Sequence, residues 1–337
     1  MHRQWWVLLC LAGHPTHAAG DFKDEALRIN DATYTHAQRL VDVGGGRKMN
    51  LYCSGSGTPT VILDSGLSDS DIVWGFVQPI LAKRTRVCSY DRAGIGYSDP
   101  AKRAGTTGNI VDDLHNLLRA AAVVPPYVMV GHSLGGLNVR LYAYRHRREV
   151  AGLVLVDPAY EEEFEGPRAL DTKAAERLDQ FRMCVAAAPK GFVAGTEPFK
   201  KCVDGPDVEP NAHFSPAINV ALAAVQMRPD FQIAQLSELE SLYAIGADQV
   251  RAARRPYGDM PIEVLTSGER PGADPSGREA ESAQAKWLDH QALANLSSRG
   301  AHRSIPNSGH YIQLDRPETV VAAVQEVIGW TKENPRR

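Results

Sequence analysis

Short apolar runs recur along the chain at 39–43, 48–53, 60–64, 85–90, 127–130, 152–156, 262–266 and 302–305, each bounded by polar or turn-forming residues. Runs of this length, rich in Val, Ile, Leu and Tyr, read as β-strands. The early breaks, Gly44-Gly45-Gly46 and Gly55-Ser56-Gly57-Thr58-Pro59, carry the chemistry of tight turns and loops. Between most later runs lie stretches with apolar residues at helical spacing, at 110–121, 137–144, 279–296 and 317–330. Pro317 suits the first turn of the last of these, where a missing N–H costs nothing. Strands alternating with helices predict an α/β fold with a mostly parallel, eight-stranded sheet covered on both faces.

The alternation stops after Pro158. For about a hundred residues, to Pro256, the sequence is charged and helix-favouring, with no β-type run, and the strand pattern resumes at Met260. Because the resumed pattern completes the earlier sheet, the intervening stretch is expected to be an inserted helical cap at 158–258, with the core formed by 19–157 and 259–337.

Composition narrows the partner. A chain of 337 residues with 43% hydrophobic content can bury a large core, and a net charge of -3 supplies no basic field for nucleic acid. A small-molecule substrate is expected. At the start, Arg3, an apolar run from Trp5 to Gly13 and the small-residue pattern around Ala18 have the form of a secretory signal peptide over 1–18. That run is shorter than the ~20 residues a membrane-spanning helix needs, and no later segment reaches that length, so no integral membrane segment is expected. The expected location is secreted or periplasmic.

Export changes how the cysteines are read, since an oxidising compartment favours disulfides. Cys10 would leave with the signal. Cys53 and Cys88 each fall in a predicted strand, and Cys184 and Cys202 lie close together in the helical stretch. The expected pairs are Cys53 with Cys88 and Cys184 with Cys202. No His and Cys spacing matches a zinc site, and neither metal nor cofactor is expected.

The chemistry-bearing string is Gly131-His132-Ser133-Leu134-Gly135, directly behind the run 127–130 and ahead of a helical pattern. A G-x-S-x-G on a strand-to-helix turn is a nucleophile elbow: Ser133 is forced into a strained conformation that exposes its hydroxyl, and the glycines let backbone crowd around it.

Five strings in order, LDSG at 63–66, YDRAGIGYSD at 90–99, GHSLGG at 131–136, LVLVDP at 153–158 and SGHYIQLDRPE at 308–318, resemble the α/β-hydrolase fold family, and within it the serine esterase and lipase-like branch. The resemblance spans about 39–332 and implies a catalytic triad. A serine hydroxyl needs a base to take its proton. His310, in a Gly-containing loop after the last predicted strand, is where the family places it. His132 is pinned beside the nucleophile, His302 begins a strand and His115 lies in a helical pattern. For the orienting carboxylate three acids stay open: Asp157 at the end of the 152–156 run, where the haloalkane dehalogenases place theirs, and Asp274 and Glu269 after the next strand, where most members do. The resemblance further implies an oxyanion hole from the backbone N–H of Leu67 and Leu134. The usual histidine before that first glycine is here Ser65. It also makes the second and fourth strands neighbours, which suits a bridge from Cys53 to Cys88. Asp91 and Arg92 invite a catalytic role, but an Asp- and Gly-rich loop more often fixes its own backbone.

The implied activity is cleavage of a carboxylic ester through an acyl-serine intermediate. Amidase, peptidase, thioesterase or acyltransferase action on the same triad, cofactor-free lyase or perhydrolase chemistry, and a non-catalytic binding protein of the same fold are the alternatives. Phe181, Met183, Phe192, Phe214, Met227 and Phe231 in the cap stretch are candidates either for an apolar acyl pocket or for ordinary helix packing.

Overall fold

A computed structural model describes residues 28–164, 172–203, 211–268 and 278–333. The expected signal segment, Glu269 and Asp274 lie outside the described residues. Eight strands form one sheet: β1 (Leu40–Gly44), β2 (Arg47–Ser54), β3 (Thr60–Asp64), β4 (Val87–Tyr90), β5 (Tyr127–His132), β6 (Val150–Val156), β7 (Ile262–Ser267) and β8 (Gly300–Ile305). Their spatial order is β1-β2-β4-β3-β5-β6-β7-β8. The pairs β1/β2 and β2/β4 are antiparallel, and every other pair is parallel. The expected α/β sheet is therefore present, with all eight runs in it.

The central strands β3 and β5 are buried at every position. A strand covered on both faces needs apolar residues throughout, which is why these runs show no alternation in the sequence. The alternation survives in what each side chain touches. Val61, Leu63, Val128, Val130, Val154 and Val156 pack on one face with Trp74, Val320 and Val324. Ile62, Met129, Leu153 and Leu155 pack on the other with Val111, Leu114 and Leu141. The helix Thr107–Ala120 presents Ile110, Val111, Leu114, Leu117 and Leu118 to that second face, an amphipathic stripe. It begins three residues before its first apolar position because the Thr106 hydroxyl accepts from the Asn109 N–H at 3.2 Å and caps its N-terminus. Pro317 opens the last helix, Pro317–Glu333.

Between β6 and β7 the described chain is helical, with Thr172–Ala187, Glu197–Cys202, Pro216–Gln226, Pro229–Ser241 and Ala247–Ala253. Among the described residues no helix is long and apolar enough to cross a membrane. Cys53 and Cys88, opposite each other on β2 and β4, are disulfide-bonded, and Cys184 is bonded to Cys202. Phe199, Val203 and Ala223 gather around the second bridge, with Met183 and Phe192 at their edge.

A buried ion pair ties the helix Leu134–Arg145 to the chain leaving β6: Arg140 donates to both Glu161 oxygens at 2.8 and 2.7 Å, and both side chains are fully buried. Removing one partner strands the other charge away from water. Glu161→Ala is expected to cost about 3–5 kcal/mol of unfolding free energy in urea titration. A loss under ~1 kcal/mol would show that the guanidinium finds other partners.

Candidate active site

β5 runs straight into Ser133, whose φ of 49° and ψ of -119° lie outside the regions that non-glycine residues favour, and the helix Leu134–Arg145 starts at the next residue. The turn holds because its flanks have no side chains. A Cβ on Gly131 would meet the Gly135 carbonyl oxygen at 2.4 Å, and one on Gly135 would meet the Asp64 carbonyl oxygen at 2.3 Å. The Ser133 N–H donates to Val156 O at 3.1 Å, and its carbonyl accepts from Gly136 and Ala159 at 2.8 and 2.9 Å. The backbone is thus pinned on both sides while the side chain stays half-buried at the cavity.

β8 ends at Ile305, and the loop beyond it carries His310, whose Nδ1 lies 2.7 Å from Asp157 Oδ2. Asp157 follows the last residue of β6 with φ of 40°, and its N–H donates to Leu265 O at 2.8 Å. Its buried carboxylate accepts from the Ser267 N–H at 2.9 Å, the Ser267 hydroxyl at 3.1 Å, and the Lys286 ammonium at 3.1 and 3.2 Å. Burial alone would raise this carboxyl. The His310 hydrogen bond, the Lys286 charge and the Ser267 N–H outweigh burial and hold it well below the usual carboxylate range. It is therefore an anion at neutral pH, able to accept the Nδ1 proton and leave Nε2 of His310 as the lone-pair nitrogen.

His132 is the second imidazole at this point. Fully buried, it is pushed down to about 3 by desolvation and then by His310, so it is uncharged. Its Nε2–H donates to the His310 carbonyl at 3.0 Å, and its ring lies against His310 and Tyr311 at centroid distances of 4.6 and 4.9 Å. It supports the His310 loop.

The loop after β3, Ser65-Gly66-Leu67, faces the elbow. Arg92 holds it by donating to the Ser65 carbonyl at 2.8 Å and the Gly66 carbonyl at 2.6 Å, and is itself held by Asp64 at 3.2 Å and Glu238 at 2.6 Å. The missing histidine is replaced by Ser65, whose hydroxyl donates to Ser70 O and accepts from Trp74 Nε1, both at 3.0 Å. Asp91 accepts from Asn50, from the Asp71 N–H and from the Tyr97 N–H, each at 2.9 Å. Both residues of the pair thus fix loops.

Ser133, His310 and Leu67 line one cavity of about 260 Å³, together with Leu239, Leu242 and Tyr243 from the helical stretch. None of the six apolar residues considered for an acyl pocket lines it. Phe214 packs in the sheet core, Phe231 against Ile95 and Val225, and Phe181 lies under the Arg177 guanidinium. His302 bonds Thr266 and Gln291 within the β7–β8 region at 2.7 and 3.2 Å. His115, His146 and Glu149 bring ligand-type atoms within 4.8 Å of one another, the one such group among the described residues. The two rings are stacked 3.9 Å apart and parallel within 6°, so their in-plane lone pairs run side by side and do not converge on a common ion.

A family model described as the alpha/beta hydrolase fold matches residues 59–191. The uncharacterized protein YqjL of Bacillus subtilis (strain 168) is 27% identical over 274 residues, which is 81% of this chain and 85% of that protein. Several other curated relatives match only in part, and the chain spans 15% and 19% of the length of two of them. Among solved structures, the epoxide hydrolase CorEH superposes with a TM-score of 0.64 at 17% identity, over 87% of this chain and 98% of its own. A thermophilic esterase from Thermogutta terrifontis gives 0.58 at 18% identity, over 86% and 97%. With the sheet order, the elbow and the matched segment in agreement, the chain has the alpha/beta hydrolase fold.

Proposed function

We propose that this protein is a serine hydrolase that cleaves small carboxylic esters through an acyl-serine intermediate, with Ser133 as nucleophile, His310 as base and Asp157 as the orienting acid. The observation that carries this reading is the 2.7 Å contact from His310 Nδ1 to an ionised Asp157, in the same cavity as a serine on a strained elbow.

The steps follow from the donors and acceptors. Asp157 holds the tautomer in which Nε2 is bare, and Nε2 takes the Ser133 proton as Oγ attacks the ester carbonyl. The oxyanion that forms is stabilised by the N–H groups of Leu67 and Leu134, each worth roughly 3 kcal/mol. Leu134 opens its helix, so its N–H has no partner within the helix. The imidazolium then protonates the departing alkoxide, and water, activated by the same Nε2, releases the acid. Epoxide opening by covalent catalysis would put a carboxylate at the elbow, where this chain has a hydroxyl.

The stretch 158–258 acts as a cap that closes the cavity through Leu239, Leu242 and Tyr243. A cavity of about 260 Å³ is small for a ligand site and favours a short acyl group. Two disulfides favour an oxidising compartment, which supports a secreted or periplasmic protein. A p-nitrophenyl ester series is the test: acetate and butyrate should turn over faster than decanoate. No hydrolysis at any chain length would overturn the reading.

A further inference from the structure

We propose that Lys286 is a positioning residue for Asp157, clamping the carboxylate in place and weakening its hold on the His310 imidazolium. The inference rests on the triad proposed above. The Lys286 ammonium contacts Asp157 Oδ1 at 3.1 Å, Asp157 Oδ2 at 3.2 Å and Ser267 Oγ at 2.7 Å. Ser267 in turn donates its hydroxyl to Oδ2 at 3.1 Å and its N–H to Oδ1 at 2.9 Å. The donors account for themselves: of the three ammonium protons two face the carboxylate and one the Ser267 hydroxyl oxygen, and Ser267 adds its own hydroxyl and N–H to a carboxylate that also holds the His310 N–H. An acid needed only to hold an imidazole requires one such contact. Here a permanent cation shares the charge.

Lys286 comes from the helix Arg278–Ala294, which packs on β7 and β8, and its side chain is 32% exposed and faces the catalytic cavity. The charged and titratable groups around His310 are Asp157 from the end of β6, His132 from the elbow, Tyr311 beside it, Asp69 from the loop after β3, Glu163 from the chain after β6, Arg177 and Tyr243 across the cavity from the helical stretch, and Lys286. Of these, Lys286 is the one cation held by contact with the acid. A positive charge here disfavours a second one on the imidazole, both directly and by neutralising Asp157. It therefore opposes the charge that would form on His310, while Ser267 and the ammonium together fix the carboxylate plane.

The sign of the test follows. The acidic limb of kcat/KM reports protonation of the free base. In Lys286→Met that limb should move to higher pH by roughly one unit. KM should stay within about twofold, because the residue acts through Asp157. Lys286→Arg keeps the charge and should leave the limb near its wild-type position. Independently of turnover, the low-field proton NMR signal of His310 Nδ1–H should move downfield in Lys286→Met, since an unneutralised carboxylate is the stronger acceptor. A limb and a resonance both unmoved in a folded Lys286→Met protein would overturn the role of Lys286 alone. A shift of the same size in Lys286→Arg would overturn the charge argument. A wild-type profile with no acidic limb would overturn this role together with the triad.

Discussion

Replacing Ser133 by alanine is expected to lower kcat by about 10⁴-fold to 10⁶-fold and to leave unfolding almost unchanged. The large effect follows from the step that is lost. Without Oγ there is no acyl intermediate, and what remains is the oxyanion hole acting on attack by water. The small effect on stability follows from the backbone. Ser133 sits at φ of 49°, a conformation costing about 1–3 kcal/mol that the surrounding hydrogen bonds enforce. Alanine keeps the Cβ and so keeps the strain, and the lost hydroxyl is at a half-buried position facing the cavity. Glycine at 133 would release the strain and raise stability by roughly 1 kcal/mol while also abolishing turnover. Kinetics with a p-nitrophenyl ester and thermal unfolding of both variants read the two effects separately. Retained turnover in Ser133→Ala would remove it as nucleophile, and a collapsed melting temperature would make its role structural.

Asp157→Asn is expected to be the next most damaging, lowering kcat by about 10³-fold to 10⁴-fold with KM little changed. An asparagine can present its amide N–H to His310 Nδ1, which selects the tautomer with the proton on Nε2 and blocks the base. It also leaves Lys286 without its counter-charge. The stability signature has a definite sign. A carboxyl depressed in the folded state stabilises the fold at pH values above its unfolded pKa, near 3.9, and that contribution is lost as pH falls through the lower folded value. The gap in unfolding free energy between wild type and Asp157→Asn should therefore be full at neutral pH and close progressively below about pH 4. Asp274→Asn and Glu269→Gln should each keep activity within severalfold. If either of those abolished turnover while Asp157→Asn did not, the acid would belong to the later loop.

Much of the sheet was legible because strands buried on both faces must be apolar throughout, and that survives in the letters of 60–64, 127–130 and 152–156. Boundaries were less so. The helix at Thr107 starts earlier than its apolar stripe because Thr106 caps it, a local hydrogen bond that periodicity does not reveal. In the candidate site, Ser133 and His310 stand in short strings with local chemistry of their own, whereas the acid does not. Whether Asp157, Glu269 or Asp274 reaches His310 depends on where β6 and β7 end beside each other, a matter of register fixed by contacts such as Asp157 N–H to Leu265 O at 2.8 Å. The same limit hid Lys286, a helix residue 129 positions from Asp157, and Glu238, 146 positions from the Arg92 it pairs with. Nothing in the sequence around either one signals its partner. The reading of Asp91 as a loop-fixing residue rested on turn chemistry that is local, and its bond from the Tyr97 N–H agrees with it, whereas Arg92 fixes a different loop, at Ser65 and Gly66, which turn chemistry does not signal.

The central claim is that Ser133 is an activated nucleophile. Incubating the protein with a fluorophosphonate probe and mapping the adduct by mass spectrometry tests it most directly. One covalent adduct per chain on Ser133, blocked by prior incubation with a short-chain ester and strongly reduced in Asp157→Asn, is the predicted result. Absence of labelling in folded protein, or an adduct on any other residue, would contradict it.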